Sequence, residues 1–458
     1  MKILNKIRET GLIFAIIAFT PIFKIWIPVS ASQGSVSFGL SEIYILLFSS
    51  YLIYLLITKK YVLEGLSKKI FFFIIISGVI SALIAGIHIL KGQSVFEFIG
   101  VIRNLYACSL IYFLYDAKKI SSKELLNGIM IFIMLMSISV FYTSVVISLR
   151  LDISKLIYPD NSYIAVAGIA LLPFISNRLN WTLFSKITMV LSITLAVCSS
   201  LLKGSRAAWT LSALLVLAIF IIMFIKKYKI AWRLILASAM SSAIVIFSFL
   251  AFSNSANVRA GMFRASPLIR NMVSVLYDLK DYEEPDNNDF DNTDYSENVK
   301  SPEDLHNIIS ATNGSGMRSN FVRSSAWKAF INDIKKSPLI GSGARFVEIT
   351  DHFGNTMLVN SHNFILEIAS LLGIIGVVAY LSLIIYVLAK LIFKSKLTWD
   401  EKLILLLTIG TIFMFALVQP AISGGITSNI IIWSVLAYML SVAKERAQTK
   451  TEEVVWNN

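Results

Sequence analysis

The chain has 458 residues, 56% of them hydrophobic and only 15% charged, with a mean hydropathy of +0.73. That balance excludes an ordinary soluble globular domain and predicts an all-α polytopic membrane protein. The formal charge of +13 does not mark a nucleic-acid binder, because the Lys and Arg residues sit in short clusters between apolar runs rather than on one face or tail. Cys108 and Cys198 both fall in apolar runs without metal-ligand spacing, so neither a zinc site nor a disulfide framework is expected.

At the N-terminus, Lys2, Lys6 and Arg8 precede an apolar run that ends near Val29-Ser30-Ala31-Ser32, a pattern that imitates a cleavable signal peptide. The run reaches Pro28 and includes Lys24 and Trp26, longer and bulkier than a signal core, so it is read as a retained first span. A membrane helix needs about 20 apolar residues, and that criterion predicts twelve spans. They lie near 10–29, 39–58, 70–90, 97–115, 125–148, 161–177, 182–202, 207–225, 231–253, 363–391, 402–419 and 424–443.

Cations fix the expected sidedness. With a cytoplasmic N-terminus, inner connections carry Lys59, Lys60, Lys68 and Lys69, then Lys118, Lys119 and Lys123, and later Lys390, Lys394 and Lys396. Short outer connections hold only Lys91, Arg150, Lys155, Lys203 and Arg206. Both termini are therefore expected inside. The expected division is helices one to nine over 1–253, an outer loop domain over 254–361, helices ten to twelve over 362–443 and a cytoplasmic tail over 444–458. In the loop, Arg259, Arg264 and Arg270 have the spacing of an amphipathic surface helix. Residues 278–304 form an acidic insertion too polar to bury a core. A helix-like stretch from Asn320 to Lys335 follows, and then Pro338, Gly341 and Gly343 break the chain.

Three constellations have chemistry in them. Lys203 to Trp209 places Arg206 at the junction of the seventh and eighth expected spans, where an arginine near hydrocarbon needs an anionic partner, water or a function; snorkelling to lipid phosphates is the plain alternative. Arg318, Arg323 and Trp327 form the second. A guanidinium fork matches diphosphate oxygens better than a lysine does, although pairing with the acidic insertion would also occupy these arginines. His362 is the third, an imidazole at the mouth of the tenth span between Ser361 and Asn363. Histidine is the usual general base near neutral pH, and Ser361 and Asn363 also suit a helix cap. Arg103, inside the fourth span, is a candidate for lining an anionic cavity, and Glu42, Glu97 and Glu367 are available to pair with such arginines. No HExxH, paired metal-binding carboxylates, P-loop or Ser-His-Asp elbow is present.

Gly204-Ser205-Arg206-Ala207-Ala208-Trp209, Arg323-x-x-x-Trp327 leading to Ser337-Pro338-Leu339-Ile340-Gly341-Ser342-Gly343, and His362-Asn363-Phe364-Ile365-Leu366-Glu367 followed by Leu372-Gly373-Ile374-Ile375-Gly376 together resemble the O-antigen ligase and polymerase superfamily. The resemblance covers roughly residues 200 to 380. It implies a GT-C-like fold with one large periplasmic loop between helices nine and ten, in the bacterial inner membrane, with the active site on the periplasmic side. It implies transfer of a glycan from undecaprenyl diphosphate to a lipid A-core hydroxyl, without metal or other cofactor and with inversion at the anomeric carbon. Arg206 and Arg323 would bind the diphosphate and His362 would orient or deprotonate the acceptor. Lys203, Arg318, Arg103, Asn363 and Trp327 are the expected further contacts to substrate. A polymerase joining lipid-linked repeat units shares these motifs. A flippase also suits twelve spans, but it would hold its polar residues near mid-membrane. The acidic insertion and Lys203 depart from the family pattern. The expected partners are the lipid-linked donor, the lipid A-core acceptor and membrane lipids.

Overall fold

The structure is a computed structural model that describes residues 25–30, 34–38, 40–106, 109–118, 121–148, 183–202, 233, 236–244, 316–350, 356–417 and 426–456. It is mostly helical. Helices α1 (Leu40–Ile57), α2 (Gly65–Leu90), α3 (Val95–Tyr106), α4 (Leu110–Lys118) and α5 (Ser122–Ser148) are followed by α6 (Leu183–Leu202) and α7 (Gly316–Lys336). Then come α8 (Phe364–Phe393), α9 (Trp399–Ala416) and α10 (Ile426–Trp456).

Among the described residues the expected set of twelve membrane helices does not form. Among the described residues only α2 and α8 are long and apolar enough to cross a membrane. The reasons are local. The expected span 97–115 is two shorter helices, α3 and α4, and at the break the Ser109 hydroxyl donates to the Tyr106 carbonyl at 2.5 Å. The end of the expected first span is a strand, β1 (Ile25–Ser30), paired antiparallel with β2 (Gly34–Phe38), so Val29 and Ser30 belong to a paired strand rather than a helix end. Alternating β-branched Ile25, Ile27 and Val29 favour that extended form. The fold is therefore not all-α. The inner-membrane topology falls with the twelve spans: assigning both termini to the cytoplasm and the site to the periplasm relied on counting crossings. Helix α10 continues through 444–456. The expected spans 161–177 and 207–225, the ends of 231–253, the Arg259 to Arg270 stretch and the acidic insertion lie outside the described residues.

The main core gathers around α8 and α10. Ile430 to Leu440 of α10 is buried all round apart from no more than a few per cent of any side chain, as expected of a helix enclosed by neighbours. Among the described residues Trp433, Tyr438 and Tyr380 are the bulkiest buried groups, and Tyr380 donates its hydroxyl to Asn429 Oδ1 at 2.9 Å. Helices α2 and α8 run antiparallel. Phe73 stacks on Tyr386 with centroids 4.9 Å apart, Ser77 donates to the Ala379 carbonyl at 3.1 Å, and His88 at the far end of α2 meets the loop before α8. Serines 67, 77 and 81 line the buried side of α2, where small side chains allow close helix approach. On the other side Phe72, Ile75, Ile76, Val79 and Leu83 are exposed, a continuous apolar stripe.

A second, smaller cluster supports the candidate site. Ala326 and Phe330 of α7 pack on Val347 and Ile349 of a hairpin made by β3 (Val347–Thr350) and β4 (Thr356–Val359). Leu366 in the first turn of α8 joins them. This is how the polar helix α7 and the start of α8 are held together.

Candidate active site

The His362 turn is built by its neighbours. Asn363 is the N-cap of α8 in extended conformation, and its Oδ1 accepts from the N–H groups of Ile365 at 2.9 Å and Leu366 at 3.2 Å. These are two of the donors that a helix start leaves without a partner. Fully buried Ser361 accepts from the Asn363 N–H at 3.1 Å and donates to the Asn363 carbonyl at 2.7 Å. Between them His362 is held at φ 49°, a left-handed conformation that a residue with a Cβ adopts only under constraint. Its N–H donates to Asn360 Oδ1 at 3.3 Å. From α7, the Trp327 indole N–H donates to the Ser361 carbonyl at 2.6 Å. Trp327 thus acts on the turn's backbone, with its ring spanning from α7 to the mouth of α8.

Beneath the turn, two sequence motifs interlock. Helix α8 breaks at Gly373, whose φ of 69° and ψ of −176° lie in a region essentially reserved for glycine. The break frees the Ser370 carbonyl and the Ile374 N–H from their helical bond. The loop Ser337 to Gly343 takes both: Ser342 N–H and Gly343 N–H donate to Ser370 O at 2.8 and 3.0 Å, while Ile374 N–H donates to Pro338 O at 2.9 Å. A Cβ on Gly373 would lie 2.0 Å from Leu339 O, and one on Gly341 2.3 Å from Ser370 O. Behind the loop His88, buried on α2, has Nε2 2.9 Å from the Ile340 carbonyl and its ring stacked on Phe98.

The sequence left open which cation Glu97 and Glu367 would meet, and the structure supplies Arg345. Its Nε donates to Glu367 Oε1 at 2.9 Å, with the carboxylate buried in the first turn of α8 and the guanidinium partly open. Glu97, in the first turn of α3, faces the same arginine. Burial pushes the Glu97 carboxyl above the usual carboxylate range, more than the charge of Arg345 lowers it, and the nearby Glu367 adds to the rise. Arg345 went unnoticed because no spacing rule links residues 97, 345 and 367. The one available hint was a lone arginine just after a glycine-rich break.

Arg318 and Arg323 lie on α7, with Arg323 one helical turn before Trp327. Arg103 is in the last turn of α3, about 9 Å along the axis from Glu97, and its Nε and an η nitrogen donate to Asn104 Oδ1 at 3.2 and 3.0 Å. Lys203 and Arg206 lie outside the described residues, as do Glu42's side chain, His306 and His352. Among the described residues no group of three or more His, Cys, Asp or Glu is arranged to hold a metal ion.

What the arrangement offers chemically is a rigidly presented imidazole at a helix mouth, with a mixed guanidinium and carboxylate cluster in the next turn. Such groups are suited to hydroxyl-bearing and anionic ligands. No curated protein sequence matches the chain. A family model described as O-antigen ligase (Wzy_C) matches residues 187–381, a stretch that contains the Arg206 motif, α7, the interlocking loop, Arg345, the His362 turn and the break at Gly373.

Proposed function

We propose that the chain is a glycosyltransferase that moves a glycan from undecaprenyl diphosphate to a hydroxyl of a lipid A-core acceptor. The observation that supports it most is the His362 turn, fixed by Asn363, Ser361 and Trp327 at the mouth of an apolar helix and lying within the stretch matched to the O-antigen ligase family. In this scheme the acceptor oxygen attacks the anomeric carbon from the face opposite the leaving group. The bond from that carbon to the diphosphate oxygen breaks, undecaprenyl diphosphate departs, and the hydroxyl proton passes to the imidazole of His362. Arg206 and Arg323 neutralise the departing diphosphate, and Lys203 and Arg318 extend that cationic surface. Asn363 caps α8 and so aims the turn, while the partly open Arg345 guanidinium, held by the buried Glu367, and Glu97 would offer hydrogen bonds to sugar hydroxyls.

The test is a labelled-donor assay with the purified full chain in detergent, run in excess EDTA. The expected result is release of undecaprenyl diphosphate and label on the lipid A-core acceptor, abolished in His362→Ala with donor binding retained. Arg206→Lys should be impaired although its charge is kept, because a lysine cannot grip two oxygens at once. Label arriving on a second lipid-linked glycan instead would make the protein a polymerase, and absence of any transfer in a folded, donor-binding protein would overturn the proposal.

A further inference from the structure

The far end of the α2 and α8 pair, remote from the His362 turn, carries charge that no described residue balances with an ion pair. Lys390 on α8 stands close enough to Lys394, the C-cap of that helix, and to Lys69 on α2 to feel the repulsion of both. Its only described attractive contact is with the face of the Tyr386 ring, 5.5 Å from Nζ to the centroid. Among the described residues none of these three lysines forms an ion pair. Other cations of the same bundle are treated differently: Lys444 is paired with Asp116, and Arg446 with Glu401 at 2.8 Å. Among the described residues carboxylates are thus paired with Lys444 and Arg446 and not with Lys69, Lys390 and Lys394.

Next to this cationic group the surface turns apolar. Phe72, one turn after Lys69, begins the exposed stripe that continues through Ile75, Ile76, Val79 and Leu83, and Ile385 and Val378 continue outward along α8. Phe393 is 80% exposed and Trp399 72% exposed, both beside the lysines in the α8 to α9 connection. Large exposed aromatics beside lysines, at the end of an exposed apolar stripe, are the composition that partitions to a lipid headgroup boundary. Three ammonium groups that no described carboxylate pairs favour an anion there, and the apolar stripe favours hydrocarbon attached to it.

We propose that Lys69, Lys390 and Lys394 form a headgroup site for an anionic phospholipid, whose acyl chains lie along the stripe of Phe72, Ile76, Val79 and Leu83. The site does not depend on the glycosyl-transfer proposal. It ties one end of α2 and α8 to a lipid surface while the other end holds the His88 and Ile340 contact under the turn. Each lysine near an anionic lipid surface contributes about a fivefold gain in affinity, so three contribute on the order of a hundredfold, and the gain weakens with salt.

The experiment is a thermal-unfolding titration of the full chain in a neutral detergent. Phosphatidylglycerol is compared with phosphatidylcholine of the same chain length and with inorganic phosphate. The expected result is protection by phosphatidylglycerol at concentrations far below those needed for phosphatidylcholine, with no effect of phosphate at equal charge. In a Lys69→Gln, Lys390→Gln, Lys394→Gln variant the preference for phosphatidylglycerol should collapse, whereas the corresponding triple arginine variant should keep it. Equal protection by both lipids, protection by phosphate alone, or an undiminished preference in the glutamine variant would overturn the proposal. Protection by phosphatidylcholine in the glutamine variant shows that it is still folded.

Discussion

Replacing Gly373 by alanine tests whether the glycine-rich motifs form a backbone interlock. The residue's φ and ψ cost a side chain about 1–3 kcal/mol on their own. The new methyl would stand 2.0 Å from Leu339 O and 2.4 Å from Ile340 N. These atoms are backbone and cannot swing aside, so the loop must retreat. Retreat breaks the bonds from Ile374 N–H to Pro338 O and from Ile375 N–H to Leu339 O, each worth about 0.5–1.5 kcal/mol. The total is about 2–6 kcal/mol, a large share of the stability of an ordinary domain. Gly86→Ala is the control, because a Cβ there meets nothing within 4 Å on α2 and should stabilise the helix by roughly 0.5–1 kcal/mol. Denaturant titration in detergent measures both, and transfer activity of the surviving folded fraction shows whether the His362 turn has lost its support. Gly341→Ala should behave like Gly373→Ala, and the double variant should cost clearly less than the sum, since either change alone already opens the same contact. A Gly373→Ala protein within about 0.5 kcal/mol of the parent would refute the interlock.

Three further substitutions probe other supports. Trp327→Phe keeps the ring but withdraws the donor from the Ser361 carbonyl. A loss of about 1–3 kcal/mol is expected, with transfer falling further than stability; unchanged activity would remove Trp327 from the positioning of the turn. Arg345→Gln strands the buried Glu367 carboxylate and should cost about 3 kcal/mol, whereas the Arg345→Gln, Glu367→Gln double variant should recover much of it. Denaturant midpoints decide this, and a double variant as weak as the single one would contradict a simple ion pair. Burial would by itself raise the Asp116 carboxyl, but hydrogen bonds from Lys444, Ser67 and Tyr61 outweigh it and hold it below its usual range. A depressed folded value stabilises the protein above the ordinary aspartate value of 3.8 and is lost as pH falls through the folded value. Acid titration should therefore show a loss of stability below about pH 4 that Asp116→Asn lacks; parallel acid profiles would show that Asp116 does not contribute.

How much could be foreseen depended on whether a feature was local. The Asn363 cap and the apolar run of α8 are legible in sequence, because a capping side chain followed by unbroken Leu and Ile is a signal contained within a few residues. Hydropathy alone overcounted membrane helices for the same reason. A window over 97–115 sees apolar residues but not the end of α3 at Tyr106, and one over 10–29 does not see β2 offering its edge to Ile25 through Ser30. Tertiary pairing overrides a propensity that depends on composition alone. The Glu97, Arg345 and Glu367 cluster was half legible: two acids were suspected of needing an arginine, but three residues on separate elements cannot be joined without the fold.

The interlock also changes what the motifs mean. Ser337 to Gly343 and Leu372 to Gly376 look like two signatures, yet each supplies hydrogen-bonding groups that only the other can satisfy. Ser370 O is left open by the break in α8, and the loop's N–H groups are left open by its turns at Gly341 and Gly343, both at positive φ. Buried backbone groups without partners are costly, so neither half is stable alone. Their joint presence fixes where α7, which ends at Lys336, must lie relative to α8, which begins two residues after His362. Arg323 and Trp327 ride on the first and His362 precedes the second. The glycines therefore have no chemical role of their own: they set the distance between the helix that carries the arginines and the turn that carries the imidazole, and a side chain at Gly373 would alter that distance before it altered any reacting group.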